Sequence, residues 1–169
     1  MNYLIISFAV MFVLTFSSCT QKEESVHTKF LGTWKLEKIE TLNNKTGKWD
    51  YDSTFTGWTG YITYDGSGHM GVQITSKGYK DFNTNKNLDS LTNTELKDLV
   101  KLYQSNWVYF ASYKIMGNTI EHLRLSATEP RNWGTTLTRD FEFKGDTLIL
   151  TAHEIVGGKK SRLFWSRLK

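Results

Sequence analysis

Residues 109–126 constrain the fold most. They read Tyr109-Phe110-Ala111-Ser112-Tyr113-Lys114-Ile115-Met116, then Gly117-Asn118, then Thr119-Ile120-Glu121-His122-Leu123-Arg124-Leu125-Ser126. Two alternating runs joined by Gly-Asn specify a β-hairpin with a two-residue turn. That turn sets the register. Met116 faces Thr119, Ile115 faces Ile120, Lys114 faces Glu121, Tyr113 faces His122 and Ala111 faces Arg124. Lys114 and Glu121 form the cross-strand pair a water-facing side favours, and Phe110, Leu123 and Leu125 share that side. The other face carries Tyr109, Ala111, Tyr113, Ile115, Ile120, His122, Arg124 and Ser126. An apolar, aromatic face that also holds a histidine and an arginine suits a pocket wall better than a dry core.

The chain around this hairpin repeats the pattern. Residues 30–39 read as a strand with Trp34 and Leu36 on one face, and 48–54 as a second, weakly patterned one. Asp65-Gly66-Ser67-Gly68 joins strands at 61–64 and 69–74, and Gly71 inside the latter marks a bulge or a close backbone approach. Residues 77–90 are polar and read as a loop at a mouth. Thr92-Asn93-Thr94-Glu95 is a capping box. Leu96, Leu99, Val100, Tyr103 and Trp107 follow at helical spacing, so 92–106 is a helix whose apolar stripe should dock on the sheet. Residues 128–135, with the single Pro130, form a loop. Gly145-Asp146 turns a third hairpin, pairing Phe143 with Leu148, Phe141 with Leu150, Arg139 with Ala152 and Leu137 with Glu154. Residues 162–167 are the last strand. About eight to nine antiparallel strands with short turns and one α-helix make a mainly β, up-and-down barrel, since closure removes the sheet edges.

The length of 169 residues fits one domain plus a targeting segment. Aromatic residues make up 14% of the chain, enough apolar area for a packed β domain. The net charge of +4 comes from basic residues scattered among acidic ones, which argues against a nucleic-acid partner. Cys19 is the single cysteine, so no internal disulfide and no cysteine-based zinc site is expected. His27, His69 and His153 lie apart, and neither a metal site nor a cofactor is expected.

Residues 4–16 are nearly all apolar. That run falls short of the roughly 20 residues that span a bilayer and suits a signal peptide. Phe16-Ser17-Ser18-Cys19 resembles a bacterial lipobox, with Phe16 at the usual leucine position. The resemblance implies a signal at 1–18, a lipidated Cys19 as membrane anchor, a polar tether at 19–29 and a domain at 30–169. Lys22-Glu23-Glu24 resembles a signal that exports some lipoproteins to the cell surface, and the choice between surface and periplasmic face stays open.

Across the domain the chain resembles the bacterial lipocalin-like domain family. The matching residues begin with Leu31-Gly32-Thr33-Trp34-Lys35-Leu36 and Thr59-Gly60-Tyr61-Ile62-Thr63-Tyr64, then Gly68, Met70, Tyr113, His122, Pro130 and Trp133-Gly134. Arg139, Gly145-Asp146 with Leu148, and Leu163-Phe164-Trp165-Ser166-Arg167 complete the set. The resemblance implies a lipocalin-like barrel with a cavity, and no reaction. It also implies a structural pair in which Trp34 plugs the closed end and Arg167 stacks on it.

Arg139 sits on an apolar face and needs a partner, either Glu154 or a ligand carboxylate. His122 beside Tyr113 is an acid–base candidate or a satisfied core group. Arg124, near the strand end, can reach the mouth. No Gly-x-Ser-x-Gly occurs, and the 65–68 turn lacks the context of a phosphate loop. The expected function is a lipid-anchored cell-envelope protein that holds a small hydrophobic or amphipathic ligand, with an acid group suiting the arginines. Tyr109, Tyr113, His122, Arg124 and Arg139 would line its site. Two alternatives remain. One is an isomerase, cyclase or hydrolase using the same pocket, with His122 as acid–base and Arg139 holding an anion. The other is a barrel plugged by Trp34, Phe141, Phe143 and Trp165 that acts as a surface interaction module. The sequence names no protein partner.

Overall fold

The computed structural model describes residues 25–81, 86–155 and 158–169. The expected signal peptide, Cys19 and Lys22-Glu23-Glu24 lie outside the described residues. One helical turn, α1 (Val26–Phe30), precedes strands β1 (Gly32–Leu42), β2 (Trp49–Tyr51), β3 (Thr59–Tyr64) and β4 (His69–Thr75). Helix α2 (Asn93–Gln104) follows. Then come β5 (Trp107–Met116), β6 (Thr119–Ala127), β7 (Thr136–Lys144), β8 (Thr147–Ala152) and β9 (Ser161–Arg167). Each strand pairs antiparallel with the next around the sheet, and β1 also pairs with β9. The result is the expected up-and-down barrel: eight strands closed on themselves, with β2 as an extra strand. β1 is long enough to pair with β3 through its first residues, with β2 through Glu40–Leu42, and with β9 along most of its length.

The 109–126 hairpin has the expected register from Ala111–Arg124 to Met116–Thr119, and Gly117 supplies the positive φ its turn requires. Beyond Ala111 the pairing shifts by one residue, so Phe110 faces Ser126 and Tyr109 faces Ala127. This bulge corrects the reading of Ser126, which leaves the inner face and lies beside exposed Phe110. The third hairpin also holds its register, except that β8 ends at Ala152 and the Leu137–Glu154 pair does not form. Gly71 is no bulge, because both of its ladders run through it unbroken. A side chain there would meet only Phe110, at 4.0 Å. The close approach is at Gly60, where a Cβ would lie 2.8 Å from Ile74 Cγ1.

Helix α2 starts as expected. Glu95 N–H donates to Thr92 Oγ1, and Thr92 N–H donates to the Glu95 carboxylate. The stripe does not dock as expected. Leu99 is buried, whereas Leu96, Val100 and Tyr103 are exposed. The helix thus covers little of the sheet, with only its end reaching the barrel at Gln104.

The segment read as the end of a tether is α1, capped by the Ser25 hydroxyl. It is anchored by Phe30, which is fully buried. The Phe30 ring meets Tyr64, Phe141 and Phe143 edge-on, each at 5.0 Å between centroids. Trp34 Nε1 donates to the Phe30 carbonyl at 2.8 Å. The Arg167 guanidinium lies 4.2 Å from the Trp34 ring centroid and donates to the carbonyls of Leu31 and Lys29, both at 2.6 Å. These residues close one end of the barrel. Phe30→Ala should therefore cost about 3–5 kcal/mol of stability, as truncation of a buried Phe does. Urea unfolding followed by tryptophan fluorescence measures it, and an unchanged midpoint would count against the plug.

Candidate functional site

Above the aromatic plug, strands β1 and β3 to β9 enclose a cavity of about 780 Å³. Alternation along β3 and β4 turns Ile62, Val72 and Ile74 inward, and β8 and β9 add Leu150, Leu163 and Trp165. Trp107, at the start of β5, and Phe55 stand on the wall, and the end of α2 reaches it at Gln104. Into this apolar space project Tyr109, His122, Arg124 and Arg139, four of the five residues read as ligand-binding.

Tyr113, also expected to line the site, is the exception. It faces the plug, where its hydroxyl donates to the Asp65 carbonyl at 3.0 Å and its ring packs against Tyr64 and His27. It does not line the cavity. Nor is it the hydrogen-bond partner of His122. That imidazole lies between two other tyrosines, with Tyr64 Oη 3.1 Å from Nε2 and Tyr109 Oη 3.4 Å from Nδ1. His122 is 1% exposed, and burial, helped by the Arg139 charge, pushes its pKa down to about 3. The ring is neutral, so one nitrogen donates and the other accepts. Burial likewise raises both tyrosines. Tyr64 shares a face with Ile62, which is the sequence signal for its inward orientation. Its meeting with His122, 58 residues away, has no local signal.

Arg139 points inward, as its register requires, and it is already paired. Nη1 forms an ion pair with Glu154 and donates to the Thr138 carbonyl at 3.0 Å. Of its two expected partners, the carboxylate in the chain is present. Arg124 is held differently. Nε donates to Thr135 Oγ1 at 2.9 Å, Nη2 donates to the same oxygen, and the guanidinium carbon lies 5.9 Å from the Tyr109 ring centroid. Burial lowers the Arg124 pKa.

Asp52 was missed by the sequence reading. It lines the cavity with its side chain 6% exposed. Burial alone would raise its pKa, but hydrogen bonds from Thr54 and Lys159 outweigh burial and hold it down to about 2. Lys159 Nζ lies 3.0 Å from its carboxylate across 107 residues of chain.

A family model described as a lipocalin-like domain matches residues 31–168. No curated protein matches the sequence. Among solved structures, fatty-acid-binding protein 1 of Echinococcus granulosus is 14% identical over 83% of this chain and 98% of that one, with a TM-score of 0.40. The Schistosoma mansoni fatty acid binding protein in complex with arachidonic acid is 16% identical over 86% and 100%, with a TM-score of 0.40. Wild-type fluorescent protein UnaG is 14% identical over 83% and 98%, with a TM-score of 0.39.

The buried imidazole makes stability depend on pH. His122 stays neutral in the barrel down to about pH 3, whereas in the unfolded chain it titrates near 6.5. Between those values the unfolded state binds the extra proton, so stability falls as pH drops from about 6.5, by up to about 1.4 kcal/mol per pH unit. Asp52, whose folded pKa is depressed, adds a loss of its own only below about pH 4. His122→Phe should flatten the upper part of the profile. Urea midpoints at pH 7 and pH 5 test this, and equal slopes for both proteins would refute a buried neutral His122.

Proposed function

The chain belongs to the lipocalin-like domain family, and on that premise we propose that it binds a small hydrophobic or amphipathic molecule inside the barrel. We further propose that it does so while held at the cell envelope by an acylated Cys19. The observation that carries the binding reading is the cavity of about 780 Å³. Binding sites for small molecules commonly occupy about 300–1,000 Å³, with mostly apolar walls and a few polar groups to orient the ligand. The aliphatic wall and the Tyr109, His122 and Arg124 cluster supply that combination.

The alternatives have less support. An acid–base enzyme needs a free nitrogen on His122, and both ring nitrogens lie against tyrosine hydroxyls. A fully plugged barrel needs its aromatics to fill the interior. Phe30, Trp34, Phe141 and Phe143 gather instead at one end and leave the cavity open.

The anchoring reading rests on Phe16-Ser17-Ser18-Cys19 behind an apolar run. Acyl chains on Cys19 would each add about 0.8 kcal/mol of membrane affinity per buried CH₂. The polar residues that follow would then space the barrel from an outer-membrane surface, on its periplasmic or external side.

Native mass spectrometry of the protein purified from its own host should show an adduct of defined mass that is lost on denaturation. Val72→Trp, which places an indole in the cavity, should fold to the same β-sheet circular dichroism and lack the adduct. An adduct that survives the substitution would place the ligand elsewhere. Cys19→Ser should move the protein from the membrane fraction to the soluble fraction. Membrane recovery at wild-type levels would overturn the anchor and leave the binding reading standing.

A further inference from the structure

The charges around the cavity do not cancel. Four cations line it, Arg124, Arg131, Arg139 and Lys159, against three carboxylates, Asp52, Glu129 and Glu154. Each carboxylate has its own cation. Lys159 Nζ lies 3.0 Å from Asp52, Arg131 Nε lies 3.3 Å from Glu129, and Arg139 pairs with Glu154. His122 is buried between two tyrosines and adds no charge at neutral pH. Arg124 is the cation left over: Glu154 acts on it only through space, and among the described residues no carboxylate lies within ion-pair distance of it.

Its hydrogen bonding is equally incomplete. A guanidinium has five N–H donors. Nε–H and one Nη2–H converge on Thr135 Oγ1, whose own hydrogen goes to the Asn132 carbonyl at 2.7 Å. The hydroxyl is thereby turned so that its lone pairs face Arg124. The two hydrogens on Nη1 and the second on Nη2 have no protein acceptor among the described residues. A half-buried guanidinium with unused donors carries a desolvation cost that an incoming anion would offset.

We propose that Arg124 is the receptor for the single negative charge of an amphipathic carboxylate, with its apolar body lying on Val72, Ile62 and Leu150 and with Thr135 as the positioning residue for the guanidinium. This deepens the binding reading and rests on it. The charge count selects a monoanion. One cation is unmatched, so a dianion would leave a second negative charge unpaired beside apolar walls. It also selects Arg124 over Arg139, whose charge Glu154 already answers. A carboxylate at Nη1 and Nη2 would gain charge-assisted hydrogen bonds, which are shorter and stronger than neutral ones.

Decanoate and decan-1-ol share a chain and differ in the charged group. Their binding is read from the fluorescence of the cavity tryptophans Trp107 and Trp165 at pH 7.5, in the full chain carrying Cys19→Ser so that acyl chains do not compete. The parent should bind decanoate at least about tenfold more tightly than decan-1-ol, the ratio that one hydrogen bond to a charged group carries. Arg124→Met should abolish that ratio, and unchanged β-sheet circular dichroism reports that the variant folds. Thr135→Val should fall between the two. A preference for decanoate that persists in Arg124→Met would overturn the assignment. Equal binding of both probes by the parent would also overturn it, with the binding reading intact. Binding of neither would overturn the binding reading and the anion receptor together.

Discussion

Arg167 ties the last strand to the beginning of the first. Its guanidinium covers Trp34 and donates to the carbonyls of Leu31 and Lys29. Those carbonyls follow from the turn of helix that carries Phe30, so one side chain joins β9, the start of β1 and the plug. Closure of an antiparallel sheet leaves no free edge only if its first and last strands pair, and here they pair from Trp34–Arg167 to Thr41–Ser161. The bulge between Leu36 and Lys38 lets the long β1 bend to meet both neighbours.

With one end sealed by aromatic rings, the interior divides. The rings around Phe30 pack edge-to-face, a geometry that favours aromatic pairs beyond their buried area. The remainder is a cavity whose apolar walls carry ionised groups in pairs. The pair Arg139–Glu154 is largely withdrawn from water, where an ion pair's stabilising value against apolar side chains of the same size is small, whereas Arg131 stands exposed at the rim. The placement of the pairs is informative about what enters. Asp52 and Lys159, Glu129 and Arg131, and Glu154 and Arg139 form ion pairs, and among the described residues Arg124 forms none. A lone hydroxyl, Thr135, orients it. The Tyr64–His122–Tyr109 chain beside it is a neutral, hydrogen-bonded wall.

Helix α2 shows where a sound local reading meets a tertiary limit. Its capping box is a contact between residues three apart, and it forms as the sequence predicts. The destination of its apolar stripe depends on space left by the sheet. The sheet closes on itself without the helix, and only Leu99 of the stripe finds cover.

The sequence by itself determined the elements whose cause is local. The Gly117-Asn118 and Gly145-Asp146 turns and the period of two set both hairpin registers, and with them the inward orientation of Tyr109, His122, Arg124, Phe141 and Arg139. Tertiary structure decided the rest. The bulge at Phe110/Ala111 turned Ser126 outward, Tyr113 went to the plug, and Tyr64 became the partner of His122. Asp52 met Lys159, and Glu154 formed its ion pair with Arg139 rather than with Arg124. Turn chemistry and side-chain alternation act over a few residues and are written in the order of the chain. Which charges neutralise one another depends on which strands closure brings together, and that is settled only when β9 returns to β1.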